Sequence, residues 1–321
     1  MLVAGSDDGV YRLHGVREPG DLDVWKVLNS GRVRRVRAFE GIDGVFAATE
    51  TGLYHSPNGR EWIDLDAPQT KVYAVGASPD GNRLYAGTRP ANAYVAEWSG
   101  GEIDYGLAWR ELDGFQDLPS RDEWRLPRHE NLAQVRDVHV TSTAPDRVYV
   151  GVEVGGVHHS PDGGDTWTER RNGVHDDIHE LRVIGSDELV AATGFGLFHS
   201  ADAGQSWTRL DEGYDQRYFR AAVAIEDAIY AAGALANSST WNDDDTDPEL
   251  FVTRDRETVE PVTHPRPDEM VTGMEAVDGT LFAATHHGTL LVKDDEWTVT
   301  GSFPVPGDVT GRYTPLLWRE A

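Results

Sequence analysis

The chain has no cysteine, which excludes a disulfide framework and any reaction that runs through a thiolate. Lysine is nearly missing: Lys26, Lys71 and Lys293 are the only three among 29 basic residues, against 55 acidic ones. The formal net charge of -26 makes a nucleic-acid backbone an unfavourable partner. Acidity spread along a chain so poor in lysine points to a protein of a high-salt cytoplasm, as in a halophilic archaeon, where salt screens the self-repulsion. Long apolar runs are absent, so no membrane-spanning helix and no membrane partner are expected. The opening "MLVAGSDDGVYRL" has no basic, apolar and cleavable parts in succession, and a cytoplasmic location is expected.

What is present is a repeat. "VFAATETGLYHSPNGREW" (45–62), "VYVGVEVGGVHHSPDGGDTW" (148–167) and "LVAATGFGLFHSADAGQSW" (189–207) share one plan. An apolar segment of period two meets a Gly-bearing turn, then a second strand, an Asp- or Asn-containing turn, and a Trp. Period-two segments bounded by Gly, Asn, Asp or Pro are the signature of antiparallel strands. Weaker copies begin at residues 2, 84, 229 and 281, which makes seven units. Trp25, Trp62, Trp109, Trp167, Trp207 and Trp297 mark the ends of six; the sixth unit lacks the Trp and offers "TVEPV" (258–262).

Seven four-stranded units of about 40 residues predict an all-β, seven-bladed β-propeller, one domain spanning 1–321. The first copy starts at Leu2, with no room for an innermost strand. The tail "VTGRYTPLLW" (309–318) is a spare strand after the seventh copy. Placing it in the first blade closes the ring and removes two sheet edges.

"SPDGGDTW" and "SADAGQSW" resemble the Asp-box, or BNR, motif of sialidase-like propellers of the WD40/YVTN/BNR-like class. "SPNGREW" (56–62) looks like the same motif one residue short. The physical reading of these residues is structural: Asp and Ser satisfy turn amides, Gly supplies positive φ, and Trp packs the outer strand. Propellers of this kind include enzymes and assembly factors. The sialidases among them imply an arginine triad, a Tyr nucleophile helped by Glu, and an acid/base Asp on a six-bladed ring. This chain departs from that pattern: it has seven units and no Arg-Ile-Pro segment near its start. Sialidase activity itself is therefore not expected.

In a propeller the Asp turns lie on the face opposite the turns between the second and third strands. Two long segments fall on the latter face: 111–134, with Trp124, Arg128 and His129, and 233–249, with Trp241. Long loops on one face of a rigid scaffold shape binding sites. Inner strands and turns are expected to bring Arg89, Arg136, Glu153, His175, Asp177, His179, Tyr218 and His286 around the channel. If 175–179 is extended, His175, Asp177 and His179 point to the same side.

Three chemistries fit. In the first, a hydrolase acts on a carbohydrate-like or anionic small molecule. Arg89 and Arg136 hold an anion, Glu153, Asp177, His179 and Tyr218 carry the reaction, and Trp124, Trp241, His129 and His286 bind substrate. In the second, His175, Asp177 and His179 hold a divalent metal (Zn, Mn or Ca) for metal-dependent hydrolysis or elimination. In the third, the face is a non-catalytic docking surface for a protein partner, with loop aromatics as anchors.

Overall fold

The computed structural model describes residues 1–98, 103, 106–127, 130–243, 245–307 and 312–320. It is a seven-bladed β-propeller of four-stranded antiparallel blades. The innermost strands of blades 2 to 7 are Val33–Phe39, Val72–Ala77, Gln134–Thr141, Ile178–Val183, Tyr218–Ile225 and Val271–Val277. Blade 1 takes its innermost strand, Leu316–Trp318, from the end of the chain, paired antiparallel to Leu2–Gly5 through Leu2 with Trp318 and Ala4 with Leu316. Ring closure by the C-terminal strand is as the repeat count predicts. Among the described residues no helix is long and apolar enough to cross a membrane.

Alternation builds the blades, and the apolar sides of neighbouring blades meet to form the core. Tyr149, Val157, Ile178, Leu181, Phe198 and Trp207, for example, pack blade 4 on blade 5. The Asp turns are rigid caps. The Asp162 carboxylate accepts from the Thr166 amide at 2.8 Å and the Thr166 hydroxyl at 2.6 Å, while the Gly164 amide donates to Ser160 Oγ at 2.8 Å. Asp202 repeats this with Ser206 at 2.9 and 2.6 Å. Blade 6, which has no Trp, keeps the device: Asp255 accepts from the amides of Glu257 and Thr258 at 2.9 and 3.0 Å. Hydrogen bonds from Ser206 hold the Asp202 carboxyl below its usual range, as expected of a cap. Asp202→Ala should cost about 1 kcal/mol, seen as a lower denaturant midpoint, and leave ligand binding unchanged.

One departure from alternation matters more than the regularity. Every inner strand of blades 2 to 7 has a register shift near its start, leaving one residue out of the ladder. The extra residues are Arg34, Tyr73, Arg136, His179, Arg220 and Thr272. A bulge re-aims the side chain it frees. Here that happens six times, and several of the six re-aimed side chains meet in the channel.

Candidate functional site at the channel mouth

The channel level just inside the mouth is plugged by the Tyr313 ring, which is 1% exposed. The guanidinium carbons of Arg220, Arg136, Arg35 and Arg34 lie 3.6, 4.3, 5.6 and 5.8 Å from its centroid. Arg136 also donates to the Tyr313 hydroxyl. Cations over an aromatic face gain from its quadrupole, more so when dry. Arg34 is paired with Glu50 at 2.6 Å, and Arg312 with Asp7 at 3.2 Å.

Glu153 is an exception within its repeat. The last residue of the second strand is Thr49, Thr193 and Thr285 in blades 2, 5 and 7. In the first two, the Thr hydroxyl donates to the carbonyl of Gly52 or Gly196 across the turn. Blade 4 places a carboxylate there instead. Glu153 accepts from Gln134 Nε2 at 2.5 Å and pairs with Arg136 Nε at 2.6 Å. Burial pushes its pKa up, but Arg136 together with His179 and Arg220 outweighs this, and Glu153 is held below its ordinary value as a carboxylate.

Glu153 and Asp177 face each other across an antiparallel backbone bridge between blades 4 and 5. Asp177 lies 3.5 Å from His179 Nε2, and His179 Nδ1 donates to the Phe219 carbonyl at 2.6 Å, which places the proton on Nδ1. The His179 ring packs at 4.5 Å on Tyr218. Burial pushes the Tyr218 hydroxyl well above its ordinary value, so it stays protonated and is a poor nucleophile. Gly194 is required here: a Cβ at that position would sit 2.3 Å from the Asp177 carboxylate.

The structure thus gathers Arg136, Glu153, Asp177, His179 and Tyr218, and it disperses the rest. His175 turns away: its Nδ1 accepts from the Asp177 amide at 3.2 Å and its ring lies against Phe195. The strand does not begin until Ile178, and the bulge at His179 breaks the alternation that would have aligned the three side chains. Among the described residues no three His, Asp or Glu side chains are placed to share a metal ion, so His175, Asp177 and His179 do not form the expected metal site. Arg89 stands apart, paired with Glu130 at 3.5 Å. Trp124 and Trp241, both 1% exposed, are packed as core rather than as open stacking faces, although Trp241 edges a surface cavity shared with Asp247, Pro267 and His287. Trp124 is packed on Phe115 and His158 and would touch a Cβ at Gly155 at 3.2 Å, so it buttresses the turn after Glu153. Trp241 supports Tyr218 and His286 from behind. His286 is fully buried, and His129 lies outside the described residues.

Arg220 escaped the sequence reading, although a lone Arg inside "YFRAAVAI" signalled it. It is 3% exposed. Its Nη1 meets the Tyr218 hydroxyl at 3.1 Å and its Nη2 the Arg312 carbonyl at 3.2 Å, while Nε has no hydrogen-bond partner among the described residues. All of these contacts are neutral: among the described residues Arg220 makes no ion pair with a carboxylate, unlike Arg34, Arg136 and Arg312.

Solved structures share this fold. The GH74 enzyme of Niastella koreensis superposes with TM-score 0.60 at 15% identity, over 84% of this chain and 45% of that one. The GH74 xyloglucanase of Xanthomonas campestris gives 0.58 at 16%, over 90% and 46%. YCF48 bound to D1 peptide gives 0.58 at 14%, over 83% and 81%. The propeller therefore resembles those of GH74 enzymes, and the chain spans less than half the length of the two it matches. No family model and no curated protein matches the sequence.

Proposed function

We propose that the channel mouth binds a small anionic or carbohydrate-like ligand, and that the protein is a glycoside-hydrolase-like enzyme rather than a sialidase. The observation that carries this reading is Arg220. A buried cation with no carboxylate in direct contact is costly, and an anionic group on a ligand would give Arg220 a direct partner, where the chain supplies only the longer-range pull of Glu153. Arg136 stands beside it, its Nε ion-paired with Glu153 and its Nη1 without a hydrogen-bond partner among the described residues. Glu153, kept ionised by Arg136, suits a base or nucleophile. Asp177, backed by His179, suits the proton-carrying partner. Likeness of fold to GH74 enzymes agrees with this reading and does not carry it.

Arg220→Gln should abolish binding of acidic sugars in calorimetric titration. Glu153→Gln, which keeps a hydrogen-bonding side chain beside Arg136, should remain folded and bind, but lose hydrolysis by at least ~100-fold. Unchanged turnover in that variant would remove Glu153 from the chemistry.

A second reading shares the anion. YCF48 is a propeller of similar length whose structure holds a peptide, and a peptide's terminal carboxylate would satisfy Arg220 equally well. Titration with short peptides, free and amidated at the C-terminus, separates the two. Binding of the free acid alone, with no sugar bound or cleaved, favours a docking propeller.

A further inference from the structure

The seam between blades 1 and 2, on the Asp-turn face, departs from the rest of the molecule in charge and in hydrogen bonding. Strand Val10–His14 sends Val10 into the core shared with blade 2. Alternation then puts Arg12 and His14 on the same side, nearer the surface. Arg12 Nε lies 2.8 Å from Met1 Sδ, and the Met1 methyl would stand 3.8 Å from a Cβ at Gly59, next to Arg60. Arg319 donates to the Pro57 carbonyl at 2.7 Å. Arg12, Arg60 and Arg319 therefore gather at the blade-2 turn 57–61. In a chain of net charge -26, none of the three makes an ion pair within 4.0 Å among the described residues. Glu61 accepts instead from Asn58 at 3.4 Å, and Asp23 stands opposite His14 on the outer ladder. Burial, with Arg60 and Arg319 nearby, lowers the pKa of Arg12.

Hydrogen bonding shows the second departure. Trp167 and Trp207, which follow full-length Asp turns, donate Nε1 to the carbonyls of Gly164 and Gly204 at 2.8 and 3.1 Å. The blade-2 turn is one residue shorter, and the buried Nε1 of Trp62 has no acceptor among the described residues. Nor has the buried Nη1 of Arg319. Donors buried without acceptors are costly. Beside them stands Trp25, the partner of Arg12 across the ladder to strand Asp23–Leu28, and it is 50% exposed. A half-exposed indole offers apolar surface to a sugar ring, and guanidiniums match a carboxylate.

We propose that this seam binds a short acidic oligosaccharide, with a uronate carboxylate at Arg12, Arg60 and Arg319 and a sugar ring on Trp25. The site lies on the face opposite the mouth and does not rest on the function proposed there. The net charge of the chain repels a long polyanion, so a nucleic acid is not the occupant.

Calorimetric titration of the full chain with a galacturonate trisaccharide tests this, in the native protein and in Arg220→Gln, where the mouth is silenced. One site should remain in Arg220→Gln. Adding Arg12→Gln or Trp25→Ala should weaken it at least ~10-fold with Tm unchanged, and a neutral galactose trisaccharide should not bind there. Loss of all binding in Arg220→Gln, or a remaining site indifferent to both seam variants, overturns the proposal. So does inorganic sulfate or a short poly-glutamate peptide binding as tightly as the trisaccharide. A native chain with a single site that survives in Arg220→Gln supports the seam and counts against the mouth reading instead.

Discussion

Between pH 6.5 and pH 4.5, in high salt, the protein should lose most of its stability. The cause is histidine. Burial pushes His158 down to about 3, and His139, His159, His264 and His286 each to about 4. In the unfolded chain these rings bind a proton near pH 6.5. Below that pH the unfolded state takes up protons that the folded state refuses, so stability falls as pH falls. The limit is ~1.4 kcal/mol per group per pH unit, less for His139, whose edge reaches solvent. Several such groups acting over two units compare with a typical total of ~5–15 kcal/mol. Glu275 acts in the opposite sense: its raised pKa contributes stability below its unfolded value that is lost as pH rises through about 7. Asp7, Asp64 and Glu249, also raised by burial, act in the same sense as Glu275, and His14 and His55, also lowered by burial, act with the five histidines. Glu153 and Asp137, both depressed by arginine, contribute stability that disappears only at still lower pH. Relief of the -26 net charge favours the folded state on acidification, which is why salt, by screening it, isolates the histidine effect.

His158 is the sharpest probe. It is fully buried against Trp124 and Phe115, and among the described residues neither ring nitrogen makes a hydrogen bond of good geometry, although the Gly155 backbone is a polar neighbour. Replacing it with Leu removes two poorly satisfied polar atoms and one suppressed proton site. Urea unfolding of His158→Leu should show a gain over the native chain that grows as pH drops from 8 to 5. A gain independent of pH would mean that His158 does not titrate in this window.

How far the sequence reveals this molecule depends on which part obeys the repeat. Asp162, Asp202 and the Trp residues behind them encode turns through local hydrogen bonds, so blade number and strand order follow from spacing alone. The closing strand was legible by subtraction, since one unit lacked an inner strand and one strand was left over. Glu153 was legible as a carboxylate at a turn expected to line the channel; that its sister units carry Thr at the same strand position emerges only from the register. The remainder of the site was not, because it is built on bulges. Counting by twos places His175, Asp177 and His179 on one side, whereas the extra residue at 179 sends that side chain into the channel and leaves His175 outside. The same displacement brings Arg34 and Arg220 inward from strands that read as ordinary core. The aromatic loop residues misled for another reason: Trp124 and Trp241 sit in long polar segments, yet each is large enough to become the core of its own loop.

Removing residues 312–320 should abolish cooperative folding. Those residues do three things at once. Leu316 and Leu317 complete the apolar faces on both sides of blade 1. Strand Leu316–Trp318 covers the edge of Leu2–Gly5, whose amides and carbonyls would otherwise lie bare beside the channel. Tyr313 is the ring on which Arg220, Arg136, Arg35 and Arg34 converge. Without it, four guanidiniums are left to repel one another around an empty axis. Burying a Tyr and two Leu is worth on the order of 5–8 kcal/mol, and the loss of the aromatic face between the four cations adds to it. The truncated chain should give no single thermal transition and should bind dyes specific for exposed apolar surface. A peptide of residues 305–320 added in trans should restore a transition, because the gap it fills has one register, set by Leu2 with Trp318. Tyr313→Ala alone tests the axis separately from the edge: the ring stays closed, and Tm should fall by about 6–12 °C. If the truncated chain instead melts as sharply as the full one, blade 1 does not depend on its borrowed strand, and closure is not what holds the propeller together.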